Sequence, residues 1–417
     1  MDHFTYKNNV LHAEEVAIAD IAKAVGTPFY VYSHATLTRH AQVFTESLKA
    51  VKPLICFAVK ANSNIAVLKT LAAQGLGADV VSEGELRRAL AAGIPASKVV
   101  FSGVGKTRSE MKFALEAGIH QFNVESDREL MALNDVAAGL GKIAPIALRV
   151  NPDVDAKTHA KISTGKKENK FGIDIDVAPE MYALAQSLPH LTVQGVSVHI
   201  GSQLTELAPF RAAYARVREL VGRLRSSGIA IRTIDLGGGL GVPYATEDAP
   251  PPPAEYGALV AEMFGDFGAE FIFEPGRLIC GNAGLLVTQV LYVKQAAHTY
   301  VIVDAGMNDL MRPALYDAVH RVDPVNISAA PVTPVNLVGP VCESTDIFLK
   351  NVPMPLPAEG DLLALRTAGA YGASLSNSYN SRLLIPEVMV KGSAFAIIRP
   401  RPSYEDMLRA EAIPDWV

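Results

Sequence analysis

Cysteine is scarce in this chain: Cys56, Cys280 and Cys342 are the only three in 417 residues. They are too few and too scattered for a disulfide framework or a zinc site, so no metal centre is expected, and any one that matters should matter as a thiol. Basic residues show no excess either, with 38 Lys and Arg against 43 Asp and Glu and a formal net charge of -5. That balance argues against nucleic acid as a partner. No apolar run is long enough to span a bilayer; the one around Leu285 to Val293 is broken by Thr288 and Gln289, so no membrane segment is expected. The opening residues, MDHFTYKNN, lack a basic start followed by an apolar stretch, which predicts a cytoplasmic chain without a secretory signal.

What remains is a globular composition, 49% hydrophobic and 19% charged, on a chain long enough for two domains. Eight short apolar runs recur with helical patterns between the first several: ICFAVK (55–60), GADVVS (77–82), KVVFSG (98–103), QFNVES (121–126), IALRVN (146–151), GVSVHIGS (195–202), TIDLGGG (233–239) and FIFEPG (271–276). Near-continuous hydrophobicity suits strands of a parallel sheet covered by helices such as SEGELRRALAAG and TRSEMKFALEAG. Eight βα units are what a (β/α)8 TIM barrel requires, and residues 28–277 match its usual size of about 250 residues. After Arg277 come strand-like runs separated by turn residues, LLVTQVLYVK, TYVIVDAG, VNLVGPVC and EVMVKGSAFAIIR. They predict a second, mainly β domain of residues 278–417, sandwich or barrel-like, with residues 1–27 expected to add a strand and a short helix to it. The Pro-rich stretch 249–256 is expected to be a loop of the barrel.

In such a barrel the catalytic groups gather where the strands end. Strand one ends in Lys60, where an ammonium is partly desolvated, as a Schiff-base lysine requires; a lysine snorkelling out at a strand end is the plainer alternative. Strand six ends in His199, which could stack on a flat ring or simply be a satisfied structural histidine. Strand seven ends in Gly237, Gly238 and Gly239, a turn whose backbone N–H groups can approach an anion, although a ligand-free turn would use the same residues. The pattern is not the dinucleotide fingerprint, which disfavours NAD. Strand eight ends in Glu274, Pro275, Gly276 and Arg277; Glu274 could hydrogen-bond a protonated pyridine nitrogen or merely pair with a nearby cation.

FAVKAN (57–62), SVHIGSQ (197–203), DLGGGLG (235–241), FEPGR (273–277), MRPALY (311–316), CEST (342–345) and GAY (369–371) occur in that order across nearly the whole chain. Together they resemble the fold-type III pyridoxal-phosphate-dependent decarboxylases, and among these the family that decarboxylates meso-2,6-diaminopimelate to L-lysine in lysine biosynthesis. The resemblance implies that Lys60 holds pyridoxal 5'-phosphate covalently and that His199 stacks on its ring. It implies that Ser202, Gly237, Gly238, Gly239, Gly276 and Tyr371 surround the phosphate, with Glu274 on the pyridine nitrogen. Arg277, Arg312 and Tyr316 would hold the distal carboxylate of the amino-acid substrate, Arg277 and Tyr371 lying where they also reach the cofactor. Glu343 would contact the distal ammonium, and Cys342 would be the acid that reprotonates the α-carbon. In the family Cys342 and Glu343 come from the other subunit, which implies a homodimer with shared active sites. Residues 161–172 resemble the family's mobile loop.

Two features separate rival readings. Arg277 with Arg312, and Glu rather than Asp after Cys342, argue against a decarboxylase of ornithine, arginine or lysine, because substrates without a distal carboxylate would leave both guanidinium groups unpaired. A racemase similar to alanine racemase would carry arginine where Glu274 stands, and a non-catalytic, partner-binding relative would be expected to lack Lys60, the glycines or Cys342.

Overall fold

The structure is a computed structural model that describes residues 2–155, 170–245 and 247–417. The expected mobile loop 161–172 falls mostly outside the described residues. The chain divides into two compact units: Thr38–Val242 with Ala249–Ile279, and Met1–Leu37 with Pro243–Asp248 and Cys280–Val417.

The first unit is the expected barrel. Its strands are β1 (Leu54–Ala58), β2 (Gly77–Val80), β3 (Val99–Phe101), β4 (Gln121–Val124), β5 (Ala144–Asn151), β6 (Leu191–Val198), β7 (Thr233–Asp235) and β8 (Glu270–Phe273). Each pairs in parallel with the next, and β8 closes on β1 through Ile272 to Leu54 and Phe273 to Ile55. Every residue of β2, β3 and β4 is buried, as strands wrapped by helices must be. The helices begin where the sequence supplies caps. Ser82 and Ser126 accept from the backbone N–H of Glu85 and Glu129 at the starts of Glu83–Ala91 and Asp127–Gly139. Thr107 and Glu110 form a reciprocal capping box at the start of Arg108–Ala117.

The Pro-rich stretch is only half a loop. Helix Pro253–Phe264 starts inside it, with Pro252 at the cap. Proline is tolerated in a first turn because the N–H it lacks has no intrahelical partner there, and its fixed φ suits the helix.

The second unit is mainly β. Its long strand Gly284–Gln295 pairs antiparallel with Phe29–Ser33, Thr299–Val303 and Leu362–Leu365, and Glu387–Lys391 pairs in parallel with Phe29–Ser33. The expected edge at residue 28 therefore differs from the structure: Phe29–Ser33, fully buried, is a sheet strand of this unit. Its apolar run carries no mark of which sheet it will join. The first residues form three short strands and helix Ile18–Val25. They contribute Phe4, Leu11, Ile18 and Ile21 to a core shared with Phe29, Val31, Leu285, Val287 and Val388.

Candidate active site

Lys60 follows β1 in a single 3-10 turn, Val59–Ala61. Its ammonium lies 2.5 Å from Oδ2 of Asp79 in β2, a carboxylate with no solvent exposure. The other oxygen of Asp79 is buried and has no hydrogen-bond partner among the described residues. Glu85, in the first turn of the next helix, accepts from the Val81 N–H at 2.8 Å. Burial raises its carboxyl to about 7, against the pull of Lys60 and Arg88.

The ends of β6, β7 and β8 press together around the glycine turn. A Cβ on Gly237 would stand 2.4 Å from the Val198 carbonyl oxygen, on Gly238 2.2 Å from that of Glu274, and on Gly239 2.5 Å from that of Gly201. The triplet is thus required by backbone approach within the barrel, quite apart from any anion. The Gly238 N–H donates to Nδ1 of His199 at 3.2 Å, which makes that nitrogen an acceptor. Desolvation, with Arg149 and Lys60 nearby, holds the imidazole well below its ordinary value, so it is neutral near pH 7. Ser202 Oγ accepts from Arg277 Nε and Nη2 at 3.3 and 3.0 Å, leaving its own proton to donate. Arg277 is 6% exposed.

Behind Glu274 the barrel interior is polar. Asn123 Nδ2 donates to Asp235 Oδ2 at 2.8 Å and to Glu274 Oε1 at 3.2 Å, and Ser102 Oγ lies 3.3 Å from the same Glu274 oxygen. Asp235 also accepts from the Gly237 N–H at 2.9 Å. Burial and the neighbouring carboxylates raise both Glu274 and Asp235. Beside them runs a buried ion network in which Arg149 Nη1 meets Glu125 at 3.0 Å and Lys106 meets Glu129 at 2.7 Å.

Gly276 lies in the barrel unit, and the other remaining expected site residues belong to the second unit. Arg312, buried at the start of helix Arg312–Tyr316, has its guanidinium 4.5 Å from the Tyr244 ring centroid and donates from Nη1 to His320 Nε2 at 2.8 Å. His320 Nδ1 lies 2.8 Å from the Arg366 carbonyl oxygen. A carbonyl only accepts and a guanidinium only donates, so His320 must carry its proton on Nδ1 and be neutral. Tyr316 is half-buried. Cys342 is exposed, its N–H donating to Asn380 Oδ1 at 2.9 Å. Glu343 accepts from Thr345 Oγ1 at 2.8 Å, and its bond with the Tyr379 hydroxyl raises that phenol. Tyr371 has φ of 55°, a left-handed conformation that costs a non-glycine residue energy and that clusters at functional sites.

Sequence reasoning picked out Lys60, His199, Ser202, the glycines, Glu274 and Arg277, and the barrel brings these to one end. It missed Asp79, Glu85, Asn123, Asp235, His320 and Tyr244. The available signal was a polar residue inside an otherwise apolar strand: Asp79 in GADV, Asn123 in QFNV, Asp235 in TID.

A closed parallel barrel with a strand-end lysine paired to a buried aspartate, and a buried glutamate facing the same end, fits a pyridoxal-dependent decarboxylase, and comparison with known proteins shows that class. Residues 34–281 match the family model described as "Pyridoxal-dependent decarboxylase, pyridoxal binding domain". The chain is 52% identical to a diaminopimelate decarboxylase of Vibrio cholerae and 49% identical to one of Zymomonas mobilis, each match covering 99% of both chains. Among solved structures, diaminopimelate decarboxylase from M. jannaschii in co-complex with L-lysine superposes with a TM-score of 0.95 at 35% identity, over 99% of this chain and 98% of that one. The Helicobacter pylori enzyme complexed with L-lysine gives 0.91 at 42% identity, over 94% and 98%. The chain belongs to the diaminopimelate decarboxylase family. It is a pyridoxal-phosphate-dependent carboxy-lyase of lysine biosynthesis that converts diaminopimelate to lysine.

The barrel end fits that cofactor. The Asp79 oxygen without a hydrogen-bond partner among the described residues and the buried Asp235 and Glu274 carboxyls are surroundings that suit a cationic ring nitrogen, and Lys60 carries an amine at the same end.

Proposed function

We propose that the family reaction runs here on meso-2,6-diaminopimelate in a cytoplasmic homodimer, with roles distributed as follows. Lys60 tethers the cofactor and is held in place by Asp79. His199 lies against the ring and, being neutral, adds no positive charge to its face. Glu274 hydrogen-bonds the ring nitrogen. Ser202 donates to the phosphate, Gly237, Gly238, Gly239 and Gly276 let the backbone approach it, and Tyr371 adds its hydroxyl. Pyridoxal phosphate, when bound, supplies the electron sink that takes up the pair left behind as carbon dioxide departs.

The other residues choose the substrate and finish the reaction. Arg277 and Arg312, with Tyr316, grip the distal carboxylate, which a guanidinium fork binds through two oxygens. Glu343 meets the distal ammonium. Cys342 gives a proton to the α-carbon. Cys342 and Glu343 act on the partner subunit's barrel, so each site needs two chains.

The observation that carries this reading is the 2.5 Å pair of Lys60 with the fully buried Asp79 at the end of β1 and β2. A lysine held there by one carboxylate is positioned rather than snorkelling. The test is carbon dioxide release from meso-diaminopimelate, with ornithine, arginine and lysine as competing substrates, by wild type and Lys60→Ala. Release from diaminopimelate alone, lost in the variant together with the protein's yellow absorption band, is the expected result. A better rate with a substrate lacking the distal carboxylate would overturn the roles of Arg277 and Arg312.

A further inference from the structure

Two buried carboxyls sharing one donor cannot both be ionised without a large cost; one proton between them removes the repulsion. Asp235, with no solvent exposure, and Glu274, 8% exposed, stand in this relation, both within hydrogen-bond distance of one group, Asn123 Nδ2, at 2.8 and 3.2 Å. Their donors are unequal. Asp235 receives the Gly237 N–H at 2.9 Å and Asn123 at 2.8 Å, whereas Glu274 receives Asn123 at 3.2 Å and Ser102 at 3.3 Å. The better-solvated carboxyl keeps the charge, which puts the proton on Glu274.

The bridge is itself fixed. Asn123 Oδ1 accepts from Gln121 Nε2 at 2.8 Å, and Gln121 Oε1 accepts from Thr233 Oγ1 at 3.2 Å. This chain runs up the barrel interior between β4 and β7 and orients the Asn123 NH2 group toward Asp235 at 2.8 Å and, on its other side, toward Ser102 Oγ at 3.0 Å and Glu274 at 3.2 Å. The other titratable groups facing the pair are Asp79 and Lys60 at the barrel end, and the buried Cys56, Tyr214 and Tyr256.

We propose that Asp235, steadied by Asn123, keeps a proton on Glu274 in the cofactor-free barrel, and that this proton passes to the ring nitrogen as the cofactor seats. The step balances within the site. The O–H bond of Glu274 breaks and an N–H bond forms on the ring, the carboxyl pair goes from one negative charge to two, and the ring gains one positive charge. No proton is drawn from solvent for it. Asp235 is then a positioning residue that acts through Glu274. The inference rests on the proposed contact of Glu274 with the ring nitrogen.

The test counts protons. Protein stripped of cofactor is titrated calorimetrically with pyridoxal phosphate, at a pH where the free ring nitrogen is unprotonated, in buffers of different ionisation enthalpy. Asp235→Asn leaves Glu274 ionised in the empty site, so this variant should take up about one more proton per cofactor bound than wild type. Equal uptake by wild type and Asp235→Asn overturns the proposal. Glu274→Gln should match wild type; extra uptake in that variant would mean the ring nitrogen is protonated without Glu274, and the contact itself would fall. Infrared difference spectra of wild type give a reading independent of any variant's folding. The C=O band of a protonated carboxyl should vanish on cofactor binding, and its absence from the empty protein would sink the idea.

Discussion

His320 is pinned by groups with no freedom of role. The Arg366 carbonyl takes its Nδ1 proton and Arg312 Nη1 fills its Nε2 lone pair, so the ring can neither gain a proton nor switch tautomer without breaking a buried bond. On the proposed role of Arg312 in gripping the distal carboxylate, His320→Ala should raise KM for diaminopimelate about tenfold, the loss of one buried hydrogen bond to a charged group, while kcat changes little. His320→Gln, whose amide can accept on one side and donate on the other, should recover most of it. Steady-state kinetics on the two variants decides the point; a fall confined to kcat would remove Arg312 from substrate binding. Glu85 offers a pH test. Its carboxyl titrates at about 7 in the folded protein against an ordinary 4.5. A raised carboxyl favours the fold while protonated, so that contribution is complete below pH 4.5, is lost as pH rises to about 7, and is constant above. Urea unfolding across this range should show Glu85→Gln losing less stability than wild type.

Among the elements, β6 and β7 leave no room for a side chain between them at Gly195. Gly195 lies opposite Thr233, just past a break in the register of β6 with β5, and a Cβ there would be 2.1 Å from the Thr233 carbonyl oxygen. Gly195→Ala should cost about 1–3 kcal/mol, read as an earlier thermal unfolding transition. Gly139 is the control: a Cβ on it meets nothing within 4 Å at the end of its helix, so Gly139→Ala should leave the transition in place or raise it. Element type was largely legible in the sequence. Near-continuous apolar runs separated by capped, amphipathic segments can fold as little else than covered parallel strands. Element membership was less so, as Phe29–Ser33 shows: a buried strand reads alike in either sheet, and its partners lie more than 250 residues away in the chain.

At the scale of the whole molecule, Cys342 and Glu343 are exposed on a single chain, which suits groups delivered to a partner's barrel. Mixing the inactive Lys60→Ala and Cys342→Ala proteins should then restore about a quarter of wild-type carbon dioxide release, because half of the randomly mixed dimers carry one intact site of two. No recovery after exchange would mean that Cys342 serves its own chain. The sequence by itself determined the barrel and the mainly β second unit, because strand periodicity is local, and it placed a lysine, a glycine triplet and a glutamate at strand ends. Only the tertiary structure decided what stands behind those groups. Asn123 meets Asp235 and Glu274 across 112 and 151 residues of chain, and Lys60 meets Asp79 from a neighbouring strand. Barrel closure makes these pairs by setting β4 across from β7 and β8, and a polar residue in an apolar run shows its partner only when the sheet has closed.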